Sequence, residues 1–367
     1  MRFNSFRFAF VSLGLVTGGV GCLGDVREGA PESPLPIVEI NGRLWEDHGP
    51  IRATHTVSHD DVIGAEELAA LGSREEAPVR PEGGTWLDDA TGRALRSELD
   101  PVAVRAAVEA YDRATPTDLA TTAPSSERPA HPEVARDILG TEGRTRVSAA
   151  HLATSPYKRI VRYTIQVTPT TSQVCTGALV GSRYVALAAH CVYNRDTNAW
   201  TYGVGGSSDR GRVCINGTCA TVTARKMAPG WPNATSSTLR QHDYALLKLD
   251  TTLGTTNGTM GLSVVTDHSS LAGFDSMLYG FPGTTPDGSS PSSTNMWGMH
   301  CNIRDVLTHR LAYDCDTSGG QSGAPLFYNS GGNYYITAIH SGAGTFYNTG
   351  VRVSTVRDWF IAEMAGW

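Results

Sequence analysis

Ser322 is the residue whose surroundings first suggest chemistry, at the centre of the stretch TSGGQSGAPL, residues 317–326. Glycine has no Cβ, so the backbone N–H groups of such a stretch can come close to a bound group. The stretch therefore fits a loop that presents a nucleophilic hydroxyl to a substrate. An ordinary glycine-rich turn is the alternative, and the rest of the chain must decide between the two.

Two further residues could activate a serine, His190 and Asp243. An attacking hydroxyl needs a base to take its proton and a third group to orient that base. His190 lies in the apolar run VALAAHC, residues 185–191, and Asp243 opens the apolar run DYALLKL, residues 243–249. Taken singly, the three residues could be a strand-end histidine, a cap and a turn residue. Together, His190, Asp243 and Ser322 supply the base, the orienting acid and the nucleophile that such chemistry needs.

The elements that must position these residues are short strands. From about residue 158 the chain consists of β-rich runs broken by Gly, Asn, Ser and Pro. This pattern predicts an all-β barrel or sandwich. Residues 356–367 predict one closing amphipathic helix. The predicted strands are 160–167, 184–189, 244–249, 262–266, 276–281, 334–340 and 351–354.

The chain has seven cysteines, which in an exported protein indicates disulfides with one cysteine left over. A hairpin turn at Asn216-Gly217 would place the cysteines on either side of it directly opposite each other. Each disulfide would stabilise the fold by roughly 2 to 4 kcal/mol, by restricting the unfolded chain. The candidate pairs are Cys214 with Cys219, Cys301 with Cys315, and Cys175 with Cys191.

The N-terminal residues predict export. Arg2 and Arg7 precede an apolar stretch over residues 8–20, which is too short for a membrane-spanning helix and typical of a signal peptide, here residues 1–22. The leftover cysteine, Cys22, ends this stretch in a motif that resembles the lipobox of bacterial lipoproteins, with Gly19 where leucine is usual. The expected location is outside the cell, either free or held at the cell envelope by a lipid on Cys22.

Residues 23–136 are rich in Pro, Glu, Arg and Ala and are interpreted as a prosegment or linker, with an independent binding domain as the alternative. One helix is predicted there, with Asp100 as its N-cap and Pro101 as its first residue. A loose cluster of potential metal ligands fits no zinc or calcium spacing, so a solvated loop is expected. Its members are His48, His55, His59, Asp60 and Asp61.

The charge distribution argues against a nucleic-acid partner. Residues 1–136 hold 13 Arg and 22 Asp or Glu, a net charge of −9, whereas residues 137–367 hold 17 Lys or Arg and 14 Asp or Glu, a net charge of +3. Neither part has a dense basic run. With 367 residues and 40% hydrophobic content, the chain can bury a substantial core.

Three motifs resemble those of the chymotrypsin-like serine proteases: Ala189-His190-Cys191, the run that begins at Asp243, and residues 320–323 around Ser322. The resemblance covers about residues 137–367. It implies two six-stranded antiparallel β-barrels, at about 137–255 and 256–367, and a histidine-loop disulfide between Cys175 and Cys191. It also implies an oxyanion hole formed by the N–H groups of Gly320 and Ser322, with no cofactor and no metal. A catalytically silent binding module of the same fold is the alternative from another class.

A closer resemblance is to the bacterial glutamyl endopeptidases, relatives of the V8 protease, with Ala324 where their serine motif often has a second serine. Residues 140–147 resemble the start of the mature enzymes from bacilli. His340 matches the specificity histidine and Thr317 its partner in S1, the site that holds the P1 side chain before the cleaved bond. A histidine and a hydroxyl can bind a P1 carboxylate. Cleavage after glutamate is therefore expected, with aspartate or another P1 residue as alternatives.

The distribution of glutamate agrees with this specificity. Residues 1–136 contain 13 glutamates and residues 137–367 only Glu142 and Glu363, although aspartate occurs 12 times there. A glutamate-cleaving enzyme would gain from lacking its own target, but β-rich secreted domains also use little Glu and Lys. We expect a monomeric zymogen that is cut near Asp137 and acts on protein or peptide substrates.

Overall fold

The structure is a computed structural model. It describes residues 37–40, 43–50, 85–88, 93–97, 101–114, 138–139, 141–235, 238–265, 270–271, 275–343 and 347–367. Outside these ranges lie the predicted signal peptide with Cys22, and four residues of the predicted polar cluster: His55, His59, Asp60 and Asp61. None of the described helices is long and apolar enough to cross a membrane.

The described strands, in chain order, are β1 (Ile37–Ile40), β2 (Arg43–Pro50), β3 (Thr85–Asp88), β4 (Arg93–Ser97), β5 (Thr145–Arg146), β6 (Ile160–Gln166), β7 (Ser172–Gly181), β8 (Tyr184–Leu187), β9 (Tyr193–Asn194), β10 (Ala199–Trp200), β11 (Arg212–Ile215), β12 (Thr218–Met227), β13 (Ala245–Leu249), β14 (Gly261–Leu262), β15 (Asp275–Gly280), β16 (Trp297–Val306), β17 (Arg310–Tyr313), β18 (Pro325–Ser330), β19 (Asn333–Ala343) and β20 (Asn348–Arg352). The α-helices are Pro101–Ala114, Ala149–Leu152, Leu253–Asn257 and Val353–Ala365, and the 3-10 turns are Tyr157–Arg159, Ala189–Cys191 and Leu239–Gln241.

Two closed antiparallel barrels of six strands each form the body of the protein. The first has the strand order β12-β11-β6-β7-β8-β13 and closes where β12 pairs with β13. The second has the order β19-β18-β15-β16-β17-β20 and closes where β19 pairs with β20. Strand β5, which precedes the first barrel in sequence, pairs with β16 of the second. The predicted two-barrel architecture is confirmed, and so is a C-terminal helix.

The strands form because apolar residues alternate with polar ones at the period of a pleated sheet. In β6 the side chains of Val161, Tyr163 and Ile165 are buried, whereas Arg162 and Thr164 are less so. Each large apolar side chain removed from water contributes about 1.5 to 3 kcal/mol. This alternation fixes the register, because a slip of one residue would turn the apolar side chains outward.

Several predicted elements have other bounds in the structure. The strand expected at 262–266 is only the two-residue β14, and just beyond it the N–H of Val265 donates to the Ser263 hydroxyl at 3.2 Å, a local bond that competes with strand pairing. The strand expected at 351–354 ends at Arg352, and the C-terminal helix begins at Val353 instead of residue 356.

The N-terminal region contributes more structure than the predicted helix. That helix, Pro101–Ala114, is confirmed, and strands β1 to β4 form a sheet with the order β1-β2-β4-β3, which extends the first barrel where β3 pairs with β12. Arg357 of the C-terminal helix forms an ion pair with Asp112 and stacks over Tyr111 at 5.3 Å. The N-terminal helix is therefore attached to the C-terminal one.

Candidate active site

His190 and Asp243 come together because they lie at the ends of neighbouring strands. Strand β8 pairs with β13, with Leu187 opposite Ala245. His190 follows β8 by three residues, in the 3-10 turn Ala189–Cys191, and Asp243 precedes β13 by two. The Cys175–Cys191 disulfide joins this turn to β7, with Cα atoms 6.2 Å apart.

The carboxylate of Asp243 accepts three hydrogen bonds while only 2% of the residue is exposed. Its Oδ1 accepts the N–H of His190 at 2.9 Å, and its Oδ2 lies 2.7 Å from Nδ1 of His190. The hydroxyl of Ser341 also donates to Oδ2, at 2.5 Å. Burial alone would raise the pKa of Asp243, but the imidazole and these hydrogen bonds hold it below its usual range. An ionised Asp243 keeps the proton of neutral His190 on Nδ1 and leaves Nε2 as the base.

Ser341 is a site residue that the sequence analysis missed. It directly follows His340 on β19, and 98 residues separate it from Asp243. The sequence signal that could have identified Ser341 is its hydroxyl directly after His340, a predicted specificity residue.

The loop that carries Ser322 docks on the barrel that carries His190. The N–H of Thr176 on β7 donates to the carbonyl of Ser322 at 2.8 Å. Gly323 has a φ of +83°, and an ideal Cβ there would lie 2.3 Å from the Thr176 carbonyl oxygen and 2.8 Å from the N–H nitrogen of Ala188. A side chain at residue 323 would thus displace Ser322 from the end of β8, and so from His190.

Gly320 orients the predicted oxyanion hole. Its φ is +96°, and an ideal Cβ would lie 2.4 Å from the nitrogen of Gly283. Its carbonyl accepts a hydrogen bond from the Thr176 hydroxyl at 2.9 Å. Neither the N–H of Gly320 nor that of Ser322 donates to any other residue that the structure describes. Both donors are therefore available to a ligand.

The two predicted S1 residues are buried and differ in their partners. Nδ1 of His340 lies 2.7 Å from the hydroxyl of Tyr313, and its backbone accepts the N–H of Gly323 at 2.7 Å. Thr317 is fully buried, and its hydroxyl has no hydrogen-bond partner within the described ranges. Burial holds the pKa of Tyr313 well above its usual value, although the nearby Arg240 opposes the shift. Tyr313 therefore stays a phenol and fixes the ring of His340.

Arg240 and Tyr313 were not predicted, and Arg240 places a buried positive charge beside β19. It lies in the 3-10 turn Leu239–Gln241 and is 7% exposed, with Nη2 3.4 Å from the carbonyl oxygen of Ala343. An ideal Cβ on Gly342 would come within 2.0 Å of its Nη1, so this glycine makes room for the guanidinium. No spacing in the sequence connects residue 240 to β19.

The three predicted disulfides are present. The two other pairs have Cα–Cα distances of 4.1 Å for Cys214–Cys219 and 5.0 Å for Cys301–Cys315. The first spans the hairpin between β11 and β12, where the two cysteines are directly opposite each other. The second joins β16 to the beginning of the loop that leads to Ser322.

Two closed barrels, with a buried aspartate–histidine pair on one and a glycine-flanked serine loop of the other docked beside it, are the arrangement found in the two-barrel serine proteases. The comparison with known families agrees. The sequence model of the family described as Trypsin matches residues 152–360, which is more than half of the chain, and the chain belongs to this family.

Individual relatives narrow the resemblance. The chain is 30% identical over 232 residues to the "Glutamyl endopeptidase" of Bacillus licheniformis, and 34% identical over 219 residues to a Bacillus subtilis (strain 168) protein named "Extracellular metalloprotease". These matches cover 60% and 59% of this chain and 66% of each relative, which is just under two thirds of their length. The predicted resemblance to chymotrypsin-like proteases close to the V8-like enzymes is confirmed.

A solved structure described as "Structure of Glu endopeptidase in complex with MPD" is similar in fold. It has a TM-score of 0.50 and 24% sequence identity, and the match covers 62% of this chain and 98% of that one. At this identity the likeness concerns the fold alone.

The word metalloprotease in one relative's name raises the question of whether the site could hold a metal. The potential ligand group among the described residues is Cys175, His190 and Cys191, whose ligand atoms lie within 4.8 Å of one another. Both sulfurs are joined in a disulfide, and Nδ1 of His190 faces Asp243. Because a metal-binding cysteine must be a thiolate, this group does not fit a metal site.

Proposed function

We propose that the chain is an exported serine endopeptidase, made as a precursor, that cleaves after glutamate and more slowly after aspartate. Ser322 is the nucleophile, His190 the general base and acid, and Asp243 the group that orients the imidazole. The observation that carries the chemistry is the buried Asp243 carboxylate, which binds both the backbone and Nδ1 of His190.

The reaction follows from these roles. The Oγ of Ser322 attacks the carbonyl carbon of the P1 residue as its proton passes to Nε2 of His190. The N–H groups of Gly320 and Ser322 donate to the resulting oxyanion. The C–N bond then breaks, the leaving amine takes the proton from His190, and an ester remains on Ser322. Water, deprotonated by His190, hydrolyses that ester and restores the serine.

The specificity part rests on the donors near the P1 side chain. The hydroxyl of Tyr313 lies 2.7 Å from Nδ1 of His340 and fixes that ring, and Thr317 has a buried hydroxyl with no partner among the described residues. Arg240 adds a fixed positive charge in the same region. A carboxylate would satisfy the hydroxyl and gain from the charge, whereas an uncharged amide gains less.

The two glutamates of residues 137–367 support this proposal. Glu363 is fully buried and forms an ion pair with Lys226. Glu142 binds the guanidinium of Arg144. Both are engaged in the fold, so the processed enzyme would offer few sites to its own activity.

Export and maturation complete the proposal. Three disulfides suit an oxidising compartment outside the cytoplasm. We place the maturation cut near Asp137. At the N-terminus, a lipid on Cys22 is the alternative to simple cleavage of the signal peptide. Fatty-acid labelling of wild type but not of Cys22→Ser would establish the lipid, and an unlabelled wild type would exclude it.

Ser322→Ala tests the chemical roles. The variant should fold, lose hydrolysis and no longer react with a small organophosphate, whereas Ser208→Ala, in an exposed loop, should behave as wild type. Turnover retained in Ser322→Ala would reject the proposed nucleophile. A processed wild-type protein that neither reacts with organophosphate nor cleaves any peptide would favour a silent binding module.

A further inference from the structure

Leu139 and Gly143 bind the nucleophile loop through Asp316, which directly precedes Thr317. Asp316 is 2% exposed, and its Oδ1 and Oδ2 accept the N–H groups of Leu139 and Gly143 at 2.6 and 2.7 Å. An ideal Cβ on Gly143 would lie 3.0 Å from Oδ2, which leaves little room for a side chain. The carboxylate is thus satisfied by the backbone of the preceding segment, which holds that segment against the loop.

A second contact is made by Arg144, whose guanidinium is buried in the same loop. Its Nη1 donates to the Ser318 hydroxyl at 2.7 Å and to Oε1 of Gln321 at 2.5 Å. Its Nε and Nη2 donate to the carboxylate of Glu142 at 2.8 and 2.6 Å. A buried guanidinium without a counter-charge would be costly, so Glu142 makes this placement possible.

Gln321 is the residue that this arrangement holds. It is fully buried, and its Nε2 donates to the carbonyl of Trp297 on β16 at 3.1 Å. Its Oε1 accepts from Arg144 and also from the N–H of Ser318 at 3.1 Å. Both ends of the side-chain amide are therefore fixed. The nitrogen is bound to the second barrel, and the oxygen is bound to Arg144, which precedes the first barrel in the chain.

The position of Gln321 in the chain gives these bonds a catalytic consequence. Gln321 lies directly between Gly320 and Ser322, whose N–H groups are the proposed oxyanion donors. The Gln321 backbone joins the peptide plane that carries the Ser322 N–H to the plane that carries the Gly320 carbonyl. A rotation there would turn the Ser322 donor directly and shift Gly320 with it, and donors that are misdirected by a small angle lose much of their stabilisation.

We propose that Arg144 is a positioning residue for the oxyanion hole: its guanidinium, neutralised by Glu142, clamps Gln321 and thereby aims the N–H groups of Gly320 and Ser322. The clamp rests on the nucleophile proposed above. Because the charge comes from the Arg144 side chain, the oxyanion hole would form without the free N-terminal amine that the maturation cut creates.

Arg144→Met tests the clamp in the processed enzyme, measured with a peptide ester, a peptide amide and diisopropyl fluorophosphate. We expect kcat to fall about 100-fold, as for the loss of one oxyanion donor, with KM changed less than about twofold. The rate of Ser322 phosphonylation should fall by a similar factor. Arg144→Lys keeps a charge that can reach Gln321 but not the fork that also binds Glu142, so it should recover part of kcat.

Arg146→Met is the matched control, because Arg146 lies two residues away on β5 and its half-exposed side chain pairs with Asp287 at 3.5 Å. It should leave kcat, KM and phosphonylation unchanged. An Arg144→Met enzyme with wild-type kcat, or with a defect only in KM, would overturn the clamp.

Gln321→Met gives an independent test if Arg144→Met does not fold, because it removes the acceptor and leaves Arg144 with Ser318 and Glu142. It should lower kcat as Arg144→Met does, and the double variant should be no slower than the slower single one, since both break one contact. Additive losses, or a normal kcat in Gln321→Met, would reject the clamp. If Ser322→Ala is inactive but Arg144→Met and Gln321→Met keep the wild-type kcat, the clamp alone is rejected. If Ser322→Ala is active, the proposed nucleophile is rejected.

Discussion

Thr317→Val should stabilise the protein while it impairs cleavage after glutamate. The Thr317 hydroxyl is fully buried and has no hydrogen-bond partner among the described residues. Such a group costs the folded state about 1 to 3 kcal/mol, and valine fills nearly the same volume without that cost. We expect the free energy of unfolding to rise by about 1 kcal/mol and Tm by about 2 to 4 °C.

The effect of Thr317→Val on catalysis has the opposite sign. With a P1 carboxylate bound, the hydroxyl would donate a charge-assisted hydrogen bond worth about 1.5 to 3 kcal/mol. Its loss should lower kcat/KM for a P1 glutamate peptide about 10- to 150-fold. A peptide that differs only in having P1 glutamine should lose less, because its amide makes the weaker bond.

Stability is measured by thermal unfolding in a Ser322→Ala background, which prevents self-digestion, and specificity from the ratio of kcat/KM for the two peptides. Thr337→Val is the matched control: Thr337 is 2% exposed, but its hydroxyl donates to the carbonyl of Leu326 at 3.0 Å. That variant should lose about 1 kcal/mol of stability and keep the specificity ratio. A destabilised Thr317→Val enzyme with an unchanged ratio would refute the reasoning.

Four further outcomes are expected. Burial and the nearby His309 lower the pKa of His242 to about 4, below the 6.5 of the unfolded chain. Between these two pH values the unfolded state therefore binds one more proton than the folded state. The free energy of unfolding should fall by up to about 3 kcal/mol as the pH drops from 6.5 to 4, and by less in His242→Gln. Denaturant unfolding curves that shift equally with pH in both proteins would contradict this. Arg240→Met should lower kcat/KM for P1 glutamate about tenfold and for P1 leucine much less, since it removes a charge near the substrate carboxylate; an equal loss on both peptides would indicate a structural role. Asp112→Asn should lower Tm of the full chain by about 1 °C and leave the processed form unchanged, because only the full chain retains the 101–114 helix. N-terminal sequencing of active protein should begin between residues 134 and 139, and full peptidase activity in the uncut precursor would reject the zymogen proposal.

The barrels were predictable because their strands are short, apolar and separated by strong turn residues. Ser322, His190 and Asp243 could be singled out as candidates for a related reason, since each lies in a local motif of a few residues. The Cys214–Cys219 pair followed from the hairpin turn between the two cysteines. In each case the information lies within about ten residues of the chain.

Contacts that depend on the register of distant strands could not be predicted. Ser341 reaches Asp243 across 98 residues, and Arg144 reaches Gln321 across 177. Tyr313 faces His340 because β17 and β19 both pair with β20 in the closed second barrel. No periodicity in the sequence specifies these neighbours, because they arise only when the barrel closes.

The strands β1 to β4 were missed for a different reason. They lie in a region rich in charge and proline, whose composition is typical of a linker. Their pairing partners include β12 of the first barrel, so the sheet is completed by residues far along the chain.

The specificity of the processed enzyme tests the central claim most directly. Purified protein is assayed with peptides that are identical except at P1, and kcat/KM is compared for Glu, Asp, Gln, Leu, Phe and Lys. Two charge-assisted donors and a buried cation predict that Glu exceeds Gln by about 100-fold, with Asp second. Equal rates for Glu and Gln, or a preference for Lys or Phe, would contradict the account.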